Sequence, residues 1–99
     1  MAEGRSGEQI PVEVTDNPAQ HRFEAHLDGE LAGFAAYTLS DTKIVFTHTE
    51  VYVEGYGVGS ALVRWALDDV RRRGSLRVVP LCPFVRAYLD KHPEYADLT

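Results

Sequence analysis

An imidazole and a carboxylate two residues apart, a single thiol and a glycine-rich turn are the parts of this chain that can do chemistry. The turn reads Glu54-Gly55-Tyr56-Gly57-Val58-Gly59-Ser60. Glycines at alternate positions let the backbone bend sharply and present its N–H groups. A helix starting at such a turn points its positive end at the same spot, and the two features together make an anion cradle. His48 and Glu50 belong to a polar quartet, Thr47-His48-Thr49-Glu50, that interrupts an apolar run. On a strand the two share a face, and either can take a proton as a general base. The quartet also reads as a solvated strand end. Cys82 stands directly before Pro83, which suits the first position of a helix. A helix N-terminus stabilises a thiolate, so Cys82 reads either as a nucleophile or as a buried, inert cysteine.

The spacing Gly55-x-Gly57-x-Gly59 is weak by itself. A dinucleotide turn requires an acid at the end of the next strand. Here that strand ends at Leu81-Cys82, and no acid stands there. A phosphate-binding loop of the lysine type requires Gly-Lys-Ser/Thr, whereas the chain has Gly59-Ser60-Ala61. A plain tight strand-to-helix connection is the remaining local reading.

The elements that must position these residues follow from periodicity. Residues 11–15 alternate weakly and end at Asp16-Asn17-Pro18, a turn signal, which predicts a short edge strand. His21 to Leu27 alternates, with Phe23, Ala25 and Leu27 on one face. Asp28-Gly29 is a hairpin turn. Glu30 to Leu39 runs back with Leu31, Ala35, Tyr37 and Leu39 opposed by Ala32, Phe34 and Ala36; two apolar faces predict cover on both sides. Lys43 to Val53 is a third long strand, Ile44, Phe46 and Tyr52 facing away from Val45, Val51 and Val53. After Gly57 the period becomes helical, with Leu62, Val63, Ala66, Leu67 and Val70 inward and Arg64, Asp68 and Arg72 as a charged stripe. Arg71, Arg72 and Arg73 precede Gly74, a C-cap. They either oppose the helix dipole or meet a cofactor phosphate. Leu76 to Leu81 is a short strand, and Pro83 to Lys91 a second helix with Val85, Tyr88 and Leu89 inward. The predicted fold is α+β: a mostly antiparallel sheet, one right-handed β-α-β crossover and a C-terminal helix. Ligands of such a layout bind beyond the carboxyl ends of the parallel strands. The loops after Val53 and after Leu81 should converge there.

The chain has 99 residues, enough for one domain, read as residues 11–99 behind a disordered arm at 1–10. A net charge of −5 argues against nucleic acid as the main partner and weakly favours a basic substrate. One cysteine excludes an intramolecular disulfide and a cysteine metal cluster. No apolar run suits a membrane span, and the start lacks a signal-peptide core, so the expected setting is cytoplasmic. The open sheet edge leaves monomer or weak dimer.

The motifs taken together resemble a known family. Glu54-x-x-Gly57-x-Gly59 before an amphipathic helix is similar to the acyl-coenzyme A loop of the GNAT N-acetyltransferases, usually Gln/Arg-x-x-Gly-x-Gly/Ala. His48-Thr49-Glu50-Val51, Val79-Pro80-Leu81-Cys82-Pro83-Phe84-Val85 and His92-Pro93-Glu94-Tyr95 resemble the small, single-domain branch of that superfamily. The resemblance spans about residues 20–98 and implies a minimal acyl-CoA N-acyltransferase fold. It implies acetyl-CoA as cofactor and an amine as acceptor. Backbone N–H groups of Gly55, Tyr56, Gly57, Val58, Gly59 and Ser60 would hold the pyrophosphate. Glu50, Val51, Tyr52 and Val53 would pair with the pantetheine arm as an added strand does. Cys82 would sit in the active site, His48 or Glu50 would be the base, and Tyr56 or Tyr88, the latter near the start of the second helix, would be the acid for the departing thiolate. Glu54 departs from the pattern, since an acid beside a pyrophosphate is unfavourable. The superfamily's N-terminal helices are missing, which implies a shallow acceptor site suited to a protein or peptide side chain. The rival reading is an acyl-CoA-binding regulatory or interaction module with little catalysis.

Overall fold

The computed structural model describes residues 11–99; the expected arm at 1–10 lies outside the described residues. The elements are β1 (Val12–Asn17), a 3-10 turn (Pro18–Gln20), β2 (Arg22–Leu27), β3 (Glu30–Leu39), β4 (Lys43–Val51), α1 (Val58–Arg73), β5 (Arg77–Pro80), α2 (Pro83–Lys91) and a closing 3-10 segment (Pro93–Leu98). The sheet order is β1-β2-β3-β4-β5. The first three pairings are antiparallel and β4–β5 is parallel, joined through α1. This is the predicted α+β architecture.

The β2–β3 hairpin turns at Asp28 and Gly29, both at positive φ (51° and 81°), which is the backbone that matches the strand twist. α1 is set by its apolar stripe: Val58, Leu62, Val63, Ala66, Leu67 and Val70 are all buried. They meet Phe23, Tyr37, Ile44 and Phe46 of the sheet and Val85 and Tyr88 of α2 in one core. Full burial of a side chain such as Leu62 or Leu67 contributes roughly 2 kcal/mol. Gly74, at φ 76°, ends α1 with its N–H on Val70 O.

Several expectations are corrected. β1 runs on to Asn17, whose side chain accepts from Gln20 N and starts the 3-10 turn. β4 stops at Val51, two residues early; Tyr52 N–H makes one more bond to β3, on Ala32 O (2.7 Å), and the chain then bends away. Cover on both faces is not found. α1 and α2 share one face and one core, leaving Arg22, Glu24, Phe34, Ala36, Val45, His48 and Glu50 on a face that no helix covers. The strict alternation read into β3 and β4 fails at one residue in each strand. Register passes from Ala25↔Gly33 to His26↔Leu31, so Ala32 is an extra residue. It passes from Tyr37↔Phe46 to Ala36↔His48, so Thr47 is another. A bulge reverses the side-chain parity beyond it. Ala32 is therefore buried and Leu31 exposed, and His48 and Glu50 leave the face of Phe46 for the uncovered face.

The charged residues of α1 also differ from a simple stripe. Arg72 bridges to Asp69, Arg73 to Asp69 and Asp16, and Arg71 to Asp97. Asp68 accepts from Tyr95 Oη at 2.7 Å. The arginine run is thus consumed by ion pairs at the C-terminal end of α1. That is roughly 24 Å, at 1.5 Å per residue, from the glycine turn, so the phosphate reading of the run is withdrawn.

Candidate active site

β4 and β5 part company where the glycine turn begins. They pair from Lys43↔Arg77 to Phe46↔Pro80, and Cys82 N–H to Phe46 O (2.9 Å) is the last backbone link. Pro80 has no N–H to continue the ladder, and Leu81 N–H turns back onto Val79 O at 3.2 Å. β5 therefore ends, while β4 continues to Val51 paired only with β3. Since Tyr52 N–H is directed at β3, strand alternation directs the peptide groups of Val51 to the other edge, into the gap. The gap is fringed by exposed apolar side chains: Val51, Tyr52, Val53, Tyr56, Leu81 and Phe84, with Leu81 60% accessible. An apolar fringe around unpaired strand edge is suited to a ligand, not to bulk water.

The turn beyond Val53 delivers the helix end expected of it. Gly55 (φ 92°) and Gly57 (φ 71°) hold left-handed backbone, and a Cβ at either would meet no atom within 4 Å. These two are glycine for conformation. Gly59 is glycine for space: it lies inside α1, and a Cβ there would come within 2.5 Å of the Phe84 ring. Gly57 caps α1 without any side-chain hydrogen bond, and the first turn carries no acid. Ala61 N–H is the first to find a carbonyl, Gly57 O at 3.0 Å. The N–H groups of Val58, Gly59 and Ser60 thus lack the acceptors an N-cap side chain normally provides. They open on a hollow of about 290 Å³ lined by Val51, Val53, Gly57 and Phe84. Ser60 also lines two neighbouring hollows, of about 210 and 420 Å³, that lead past Tyr88 and His92. Together these form one groove from the β4–β5 gap across the N-terminus of α1. A larger hollow, of about 510 Å³, lies at the other end of α1 around Arg71 and Asp97. It faces the helix C-terminus, and its principal charges are paired with each other.

The sequence-predicted side chains fall into separate groups. His48 Nε2 and Glu50 Oε2 are 2.8 Å apart, on the uncovered face and substantially exposed. A carboxylate only accepts, so Nε2 is the donor of this pair, and in the neutral imidazole Nδ1 is then the nitrogen with the lone pair. His48 packs beside the Phe34 ring at 6.0 Å between centroids, and Tyr52 flanks the same ring at 6.3 Å. Arg22 lies over Phe34 at 4.6 Å and bonds Glu24, whose carboxyl it holds below the ordinary range against the opposing effect of burial. Cys82 is on the helix side. It caps α2 with extended backbone, is 3% accessible, and its Sγ lies 3.3 Å from Thr49 Oγ1. That contact spans the closed end of the gap. Tyr88 is the sixth residue of α2, not near its start, stacked on His92 at 4.0 Å, and burial raises its phenol above the usual value. It lines the groove with Ser60, well along α2 from Cys82. Tyr56 is exposed at the turn.

The turn and the end of β4 are brought together around one hollow, to which Cys82 does not contribute; Cys82 meets β4 through Thr49, while His48 and Glu50 stand on the opposite face of β4. Sequence reasoning missed Thr49 as the partner of Cys82, because the bulge at Thr47 inverts its direction. It also missed Phe84, Arg64 and Lys91 as groove residues. Arg64 was detectable, since it follows Ser60 by four and must share its helix face.

A family model described as GCN5-related N-acetyl-transferase matches residues 22–98. The chain belongs to that GCN5-related N-acetyltransferase family, and the match runs from β2 to the closing 3-10 segment. A comparison with curated proteins finds no match. No helix of the described residues is long and apolar enough to cross a membrane.

Proposed function

We propose that the protein is an acetyl-CoA-dependent N-acetyltransferase acting on an amine presented by a protein or peptide. The observation that carries this is the juxtaposition of Val58, Gly59 and Ser60, with uncapped N–H groups, and the unpaired edge of β4 at Val51. One is fitted to a pyrophosphate and the other to an amide-bearing arm. The exposed apolar fringe fits the methylenes of the same arm. Acetyl-CoA supplies an activated thioester as the acetyl donor.

The chain's own residues then divide the work. Val51 peptide groups orient the arm, with Gly55, Tyr56 and Gly57 shaping the turn beside it. His48, oriented by Glu50, takes the proton from the acceptor ammonium at Nδ1. Cys82 is a buried residue at the cap of α2. Its polar neighbour is the Thr49 hydroxyl, which is not a base, and the His48–Glu50 pair faces the other side of the sheet. A thiol without a base in reach is poorly placed to act as a nucleophile. The uncovered face, with Phe34, Tyr52 and Glu50, leaves the acceptor side shallow and accessible.

Isothermal titration calorimetry with acetyl-CoA tests the cofactor, and absence of binding ends this reading. Acetyl transfer to a panel of free amines and lysine peptides tests the activity. Binding without transfer to any of them makes the protein a cofactor-binding module instead.

A further inference from the structure

The groove is electrically graded. At its gap end the exposed carboxylate of Glu54 stands at the mouth. Past the N-terminus of α1 the exposed charged side chains lining it are cations. Arg64 lines it with Gly57, Ser60 and His92, and Lys91 lines it with Ser60, Tyr88 and His92. Arg64 stands one turn beyond Ser60 on the same side of α1, about 6 Å along the axis. Lys91 is the last residue of α2 and belongs to the second helix that borders the groove. Between them the stacked rings of Tyr88 and His92, 4.0 Å apart and 22° from parallel, form a firm floor. Of the acids nearby, Asp68 is engaged by the Tyr95 hydroxyl at 2.7 Å, and Glu94 lies 3.3 Å from His92 Nδ1. One anion seat at the helix end accounts for a pyrophosphate. It does not account for two further cations in the adjoining hollows, which share Ser60, Tyr88 and His92.

We propose that Arg64 and Lys91 form a second anion seat that takes the phosphate carried on the ribose of coenzyme A, and so set the preference for the phosphorylated nucleotide. The inference rests on the proposed reading of the groove as the cofactor's seat. The cation that the turn lacks at Glu54 is supplied farther along, from two elements that share the groove wall. Two mobile side chains closing on one exposed phosphate make a contact that salt screens strongly.

The test is calorimetric titration with coenzyme A and with dephospho-coenzyme A, which lacks only that phosphate. The unmodified protein and the Arg64→Gln/Lys91→Gln double variant are both titrated, at 50 and 500 mM salt. Thermal unfolding confirms that the variant is folded, as the exposure of both side chains leads one to expect. The unmodified protein should bind coenzyme A at least tenfold more tightly than the dephospho form at low salt. The double variant should bring that ratio below threefold, chiefly by weakening coenzyme A, and high salt should compress it in the unmodified protein. A ratio near one in the unmodified protein, or an unchanged ratio in the variant, overturns the second seat and leaves the groove reading standing. Binding of neither compound overturns both.

Discussion

Gly57 offers the sharpest test of whether backbone, not side chains, makes the anion seat. Its φ of 71° lies in the left-handed region, and a Cβ there would touch nothing within 4 Å. Replacement therefore adds strain without a clash. For an ordinary L-residue that strain is about 1–2 kcal/mol, and a β-branched residue is a stronger outlier. Asn tolerates this region. Gly57→Val and Gly57→Asn thus insert side chains of similar size at one position and differ mainly in whether the turn can keep its shape. Val should relax toward ordinary helical or extended backbone and swing the N–H groups of Val58, Gly59 and Ser60. A hydrogen bond to a charged group is worth about 1.5–3 kcal/mol. Misdirecting one of them therefore weakens binding by roughly 10- to 150-fold. Calorimetry with acetyl-CoA should show that loss for Val and less than about a threefold change for Asn. The core residues of α1 are untouched in both, so helical circular dichroism at 25 °C should be preserved. Equal losses in Val and Asn would mean that bulk in the groove matters and turn conformation does not. Equal retention would mean that the cofactor does not use this turn.

Other consequences can be checked separately. Glu54→Gln removes an exposed acid at the mouth of the groove and should tighten acetyl-CoA severalfold at low salt, an effect that 500 mM salt erases; titration at both salts measures it. His48→Ala should lower kcat by roughly 10²–10⁴ with acetyl-CoA affinity unchanged, which steady-state kinetics beside calorimetry would resolve. Cys82→Ser keeps a small polar group 3.3 Å from Thr49 and should retain turnover within about threefold; a loss beyond a hundredfold, in a variant that still binds acetyl-CoA, points to a covalent role. Tyr95, whose phenol is pushed up to about 12 by burial and then by the Asp68 hydrogen bond, favours its neutral form in the folded state. Its contribution is complete below the unfolded value near 10 and is lost as pH rises toward 12. Urea midpoints from pH 8 to 11 should fall in the unmodified protein and fall less in Tyr95→Phe.

Much of the fold was legible because it rests on local signals. Asp28-Gly29 could only be a tight turn, and the switch to helical period after Gly57 located α1 to within a residue. Pro83 at the first turn of α2 placed Cys82 as its cap. The site was less legible for a physical reason. Period-two reading assumes an unbroken ladder, and neither Ala32 nor Thr47 carries a residue type that announces a bulge. Each is specified by how the residue sits against the neighbouring hairpin strand, which its own type does not reveal. Cover on both faces of β3 was inferred from its apolar composition, but a sheet face can remain open when its side chains are small. Ala36 is half-buried there, and Phe34 is shielded by Arg22 in place of a helix. The ion pairs that consume Arg71, Arg72 and Arg73 involve Asp97, Asp69 and Asp16, of which only Asp69 is close in sequence.

The bulge at Thr47 is what gives the gap two chemically different sides. With Thr47 in the ladder, His48 and Glu50 would follow Phe46 into the helix-covered core, where an unpaired charge costs several kcal/mol. Thr49 would in turn face away from Cys82. Leaving Thr47 out of the ladder as a bulge exchanges these positions, putting the titratable pair on the open face and the hydroxyl against the thiol. Under the proposed reading the consequence is directional. The cofactor enters along α1 on the helix side, where the uncapped N–H groups and Phe84 line the groove. The amine must then approach from the uncovered face, past Phe34 and Tyr52, to reach His48. Deleting Thr47 should therefore remove the bulge while keeping His48 opposite Ala36 on the uncovered face, so transfer should persist in a chain that folds; its loss would mean that the local twist of the bulge, not side-chain parity, sets the site. The same deletion should leave the glycine turn's own conformation, set by Gly55 and Gly57, intact.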